Sequence, residues 1–142
     1  MREILFRGKC NETCKYNGQW IEGFYGEDDG KPIIARSTDH GLIGYFCEPD
    51  SIGQYTGLTD KNGRKIFEGD IIHLEYSQVF FGGEYFGEYT AEVSYKEGCF
   101  ITDGINNGDE IETPLSGFDN DEVEIIGNIH DNPELLGGEF DG

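Results

Sequence analysis

Four cysteines, Cys10, Cys14, Cys47 and Cys99, and three histidines, His40, His73 and His130, are the residues of this chain best suited to ligate a metal or to act as nucleophile and base. Cys10-x3-Cys14 has the look of half a zinc site. A structural zinc centre takes four ligands, and no second pair follows. Cys47 and Cys99 stand alone, each beside a phenylalanine in an extended-looking run. With no secretory leader, the thiols are expected to stay reduced and to fill core space as small apolar groups. The histidines form neither H-x-x-x-H nor H-E-x-x-H, and no G-x-S-x-G elbow accompanies them. His73 falls on a strand and His130 at a strand end, where both read as structural residues. No catalytic, cofactor-binding or metal-ligating residue is assigned.

The acids offer oxygen ligands without a pattern. Asp103 to Glu110 and Asp119-Asn120-Asp121-Glu122 do not match the spacing of a calcium-binding EF-hand loop and read as solvated turns. Gly82-Gly83 has no Lys or Arg within ten residues on either side, so it is not a phosphate cradle. Aromatic residues are the other resource. Phe80, Phe81, Tyr85, Phe86 and Tyr89 crowd a glycine-rich stretch that reads as a loop at a hairpin tip. Because aromatics are enriched at interface cores, these five are the candidate interaction surface.

Charge narrows the partner. There are 29 Asp and Glu against 10 Lys and Arg in 142 residues, a net charge of −19. Nucleic-acid affinity comes mostly from cations that neutralise phosphates. Only Arg2/Arg7/Lys9 and Lys61/Arg64/Lys65 cluster. The balance argues against nucleic acid and against an anionic membrane surface. It favours a basic protein partner, whose approach such a charge steers. No apolar run nears the roughly 20 residues that span a bilayer.

These side chains must be carried by strands. The 22 glycines show no collagen period and punctuate short aromatic runs, as in an all-β chain. Residues 2–7, 19–25, 32–36, 42–47, 71–76, 90–95, 99–102 and 123–130 read as strands. In the strand over 71–76, Ile72, Leu74 and Tyr76 share one face. Asn62-Gly63 between extended runs predicts a type I′ hairpin turn, and Gly127 a bulge. Pro133 to Leu136 reads as one helical turn capped by Asn132. Residues 103–121 read mostly as loop, and 137–142 as a frayed tail. The expected class is all-β with minimal helix, its C-terminal half ordered like a small SH3-like barrel. One domain is expected over 1–142: an N-terminal β region over about 1–53, then the hairpin and barrel over about 54–136.

The segments Gln54-Tyr55-Thr56-Gly57-Leu58-Thr59-Asp60-Lys61-Asn62-Gly63 and Ile66-Phe67-Glu68-Gly69-Asp70-Ile71 resemble the central signature of the YopX family of phage and prophage proteins. Arg2 to Lys9, Gly18 to Tyr25 and Ile125 to Leu136 resemble its opening, second and closing blocks, in family order. The resemblance implies a mostly β protein acting in the cytoplasm of a bacterial host. It supplies no catalytic residue and no cofactor. Gly57, Asn62, Gly63, Gly69, Asp70, Asn132 and Pro133 belong to the signature and read as turn architecture. Three functional readings follow. The first is a non-enzymatic module that binds a host or phage protein, or itself as a homo-oligomer. The second is a small nucleic-acid-binding barrel, and the third a metal-dependent enzyme using Cys10/Cys14 or the acidic loops.

Overall fold

A computed structural model describes residues 4–106 and 109–137, without the side chains of 78–80, 85, 106, 109 and 137. Among the described residues the chain is mostly strand, in two antiparallel sheets with one short α-helix. It divides into two compact units, residues 1–57 and 58–142.

The first unit holds β1 (Phe6–Lys9), β2 (Trp20–Asp28), β3 (Lys31–Thr38), β4 (Gly41–Phe46) and most of β5 (Gly53–Thr59). β2 and β3 are joined by Asp29-Gly30, with Asp28 paired to Lys31 and φ of 55° and 78° at the two turn residues. Two positive φ values define a type I′ turn, whose twist matches that of the flanking strands. Alternation along β2 buries Ile21 and exposes Glu22 and Phe24. Ile21, Ile34, Cys10 and Cys47 form the core, with Phe6, Cys14, Tyr16, Tyr45 and Ile52 packed around them.

The second unit holds β6 (Lys65–Phe67), β7 (Asp70–Phe80), β8 (Gly83–Lys96), β9 (Cys99–Asn106), β10 (Asp109–Pro114), β11 (Val123–Asn128) and the helical turn α1 (Glu134–Gly137). The sheet orders are β4-β3-β2-β1-β5-β6 and β10-β9-β8-β7-β11. In the second sheet β10 pairs only with β9 and β11 only with β7 among the described residues. Its ladder is therefore open, and the expected barrel closure is not seen in the pairing. Ile72, Leu74, Tyr89, Ala91, Val93, Leu115, Val123 and Ile125 fill the core with Ile66.

Several local expectations are corrected. Residues 103–121 are not mostly loop: β9 runs on to Asn106 and β10 pairs along it as far as Pro114. The Asn62-Gly63 turn is not type I′, because only Gly63 has positive φ. It is a turn in which the Gly63 N–H donates to Asp60 O at 3.0 Å. The Asp60 carboxylate accepts from the N–H groups of Asn62 and Arg64 at 2.9 Å each, and of Ile125 at 3.0 Å. The bulge at Gly127 is present as a register shift against β7. The Asn132 side chain does not cap α1; its Oδ1 accepts from Asn128 N–H at the end of β11. Its carbonyl accepts from Leu135 N–H, and the Pro133 carbonyl from Leu136 N–H. The frayed tail falls outside the described residues beyond 137.

Candidate interaction surface

The aromatic stretch is not a loop. β7 and β8 form one long hairpin whose ladder closes at Phe80 opposite Gly83, leaving Phe81-Gly82 as the turn. Gly82 supplies the positive φ there, at 73°. Phe81 and Phe86 are largely exposed. The side chains of Phe80 and Tyr85 lie outside the described part of the structure. Tyr89 corrects the expectation of a shared exposed surface. It pairs with Leu74 on the inward face, is 7% exposed, and sets its hydroxyl 3.5 Å from Thr102 Oγ1.

Burial does not remove Tyr89 from the surface chemistry, because its ring helps to floor a cleft. Tyr76 stands edge-on to it, centroids 6.1 Å apart at 72°. The Tyr76 ring lies across β8 at Gly87, where any Cβ would overlap it. The cleft measures about 500 Å³ and is completed by Ile111, Thr113 and Phe118, with Asp119 and Glu122 at its rim. That size falls within the range of ligand-binding clefts. Among the described residues no Lys or Arg lines it. Glu122 Oε1 accepts from Asp119 N–H at 2.8 Å, which holds the rim in place. The cleft therefore offers aromatic faces to an apolar group and carboxylates to a cation beside it.

The opposite face of the hairpin carries a different group. Glu75 and Glu88 are directly opposite each other across β7 and β8. His73 Nε2 lies 3.8 Å from Glu75 Oε1 and 3.4 Å from Glu88 Oε2. One ligand atom from each of the three lies within 4.8 Å of the others, a spacing that could hold a divalent cation. This trio is invisible to local spacing, because its third member sits on the neighbouring strand.

The cysteines separate. Cys10 and Cys47 face each other as a bridge between chain segments, with Cys14 beside the same core, whereas Cys99 is exposed at the β8–β9 turn in the other unit. Burial, then the neighbouring Cys14 and Cys47 thiols, push the Cys10 thiol up to about 12. Burial also raises Cys47. Both stay protonated at neutral pH, and a thiol is a poor nucleophile.

Four of the signature residues sit at positive φ or in buried hydrogen bonds. Gly69, at φ 92°, donates its N–H to Val93 O and accepts from Ile129 N–H. The buried Asp70 accepts from Phe67 N–H at 2.8 Å. Gly57 and Gly63 supply positive φ.

No helix among the described residues is long and apolar enough to cross a membrane. No curated protein matches the chain. Among solved structures, the crystal structure of protein EF1440 from Enterococcus faecalis is similar, at 24% identity and a TM-score of 0.53, over 96% of this chain and 99% of that one. This likeness concerns the fold alone. The family model described as YopX protein matches residues 5–137. Read with the signature blocks and the two-sheet β architecture, that match over nearly the whole length places the chain in the YopX family.

Proposed function

We propose that this chain is a non-enzymatic interaction module of phage or prophage origin, working in the bacterial cytoplasm, that holds a basic and apolar segment of a host or phage protein. The cleft carries this reading. Its Tyr76, Tyr89 and Phe118 rings suit an apolar side chain, and Asp119 and Glu122 suit a neighbouring Lys or Arg. Exposed Phe81 and Phe86 extend the apolar surface along the hairpin. The net charge of −19 speeds the approach of a basic partner and raises the on-rate. Burial keeps the Cys10 and Cys47 thiols protonated, which suits a reading without covalent catalysis at that pair.

The test is affinity capture from nuclease-treated host lysate with the tagged chain and with a Phe81→Ser/Phe86→Ser double variant. The proposal expects a basic protein retained by the parent chain and depleted on the variant. Partners that vanish on nuclease treatment would point instead to nucleic-acid recognition.

A further inference from the structure

The outer face of the β7–β8 hairpin carries chemistry of its own. Successive strand residues point to opposite faces. With Leu74 and Tyr89 turned into the core, His73 and Glu75 on β7 and Glu88 on β8 stand together on the other side. Glu75 and Glu88 are directly opposite each other in the ladder. Like charges so placed destabilise a sheet. Among the described residues, the ion pairs of both carboxylates run to His73 alone. Lys61, which borders the same face with Asp121, is held by Glu124 at 3.5 Å. Glu124 in turn lies opposite His73 on β11.

The donor atoms of the trio are spaced as around a metal ion. His73 Nε2 is 3.4 Å from Glu88 Oε2 and 3.8 Å from Glu75 Oε1, and one ligand atom of each lies within 4.8 Å of the others. Zinc bonds imidazole nitrogen and carboxylate oxygen at about 2.0–2.2 Å, which sets neighbouring donors on a tetrahedral ion about 3.4 Å apart. The Glu88 contact already has that separation. A small rotation of the Glu75 side chain, 64% exposed, brings the other to it, while His73, 28% exposed, is the anchored member. All three sit inside a continuous ladder that runs from Ile71 opposite Glu92 to Phe80 opposite Gly83. Ligands on paired strands are held more firmly than ligands on loops.

We infer that His73, Glu75 and Glu88 bind one divalent transition-metal ion, with zinc the best match. The imidazole selects zinc over the hard cations magnesium and calcium, which take six or more oxygen ligands. Three protein ligands leave the fourth tetrahedral position to water. The charge of the ion replaces the repulsion between Glu75 and Glu88 with attraction to both. Because its ligands come from two strands, the ion clasps β7 to β8. It therefore binds the folded hairpin in preference to the unfolded chain, and this raises stability. The site lies on the opposite face of the hairpin from the cleft and does not depend on the cleft's partner.

Titration of the full chain with Zn²⁺ in excess Mg²⁺, followed by NMR of the histidine ring protons and by thermal melts, tests this. The magnesium occupies exposed carboxylates that have no imidazole beside them. Zinc should shift the His73 ring resonances more than those of His40 and His130, and should raise the melting temperature. His73→Gln and Glu88→Gln should weaken zinc binding roughly tenfold or more and lose that rise. Glu84→Gln, exposed on the same strand, should behave as the parent chain does. Glu88→Gln also relieves the like-charge opposition, so its melting temperature without zinc should not fall below the parent's. That comparison separates loss of the ion from loss of the fold. Zinc that leaves the His73 resonances unmoved overturns the inference. So does zinc bound as tightly by Glu88→Gln as by the parent chain.

Discussion

Asp60 does more for the second unit than any catalytic-looking residue in the sequence. It is 2% exposed and its carboxylate accepts three backbone N–H groups. Burial opposes its ionisation, but the N–H groups of Ile125, Arg64 and Asn62, together with the Arg64 charge, outweigh that and hold its pKa below the ordinary 3.8. A depressed folded-state pKa contributes stability above the unfolded value, and that contribution is lost as pH falls through the folded value. Asp60→Asn turns an amide toward at least one of those donors, so a loss of about 2–3 kcal/mol at pH 7 is expected. The penalty should shrink below pH 3.8, and urea melts across pH check it. Glu92 has the opposite sign. Burial, then Asp103 directly across the ladder and Glu68, raise its pKa above 4.5. Stability from its protonated form is present below 4.5 and lost as pH rises through the raised value. Glu92→Gln should therefore raise the melting temperature at neutral pH and leave it little changed in acid.

At the scale of elements, Gly87 decides the cleft. Alanine there would drive its Cβ into the Tyr76 ring, costing about 1–3 kcal/mol as overpacking does. It should also displace Tyr76 and close the floor, which chemical denaturation and the Tyr76 ring resonances would report. The strands with a strong two-residue period were legible. β2 and β7 alternate between a buried face and a wetter one, and that survives in the sequence. β10 was not legible, because an edge strand with Ile111 as its one apolar inward residue reads as an acidic loop. Turn chemistry misled at Asn62-Gly63. The type I′ turns lie at Asp29-Gly30 and Glu97-Gly98, while Asp60 imposes a different turn on the Asn-Gly pair. Its third partner, Ile125, is 65 residues away in sequence, beyond any local pattern. Tyr89 follows exposed aromatics in the sequence but shares the face of Leu74, and the Asp119/Glu122 rim becomes visible only once β10 is a strand.

For the whole molecule, the excess of 19 negative charges sets the long-range field. Two ion pairs between well-exposed groups, Lys96 with Glu112 at 2.8 Å and Lys61 with Glu124 at 3.5 Å, absorb two of the few cations. Such pairs contribute little to stability. The remaining acids leave a field that a basic partner feels at a range of about 8–10 Å at physiological salt. Partner association should therefore slow several-fold between low and physiological ionic strength, with dissociation changed far less, and stopped-flow kinetics would separate the two. The central claim is that the cleft at Tyr76, Tyr89 and Phe118 holds a basic protein segment. The most direct measurement is side-by-side capture from nuclease-treated lysate by the parent chain and by Asp119→Asn/Glu122→Gln, which removes two rim charges while keeping side-chain shape. The expected result is a basic protein on the parent chain and its loss from the variant. The same protein retained equally by both would contradict it.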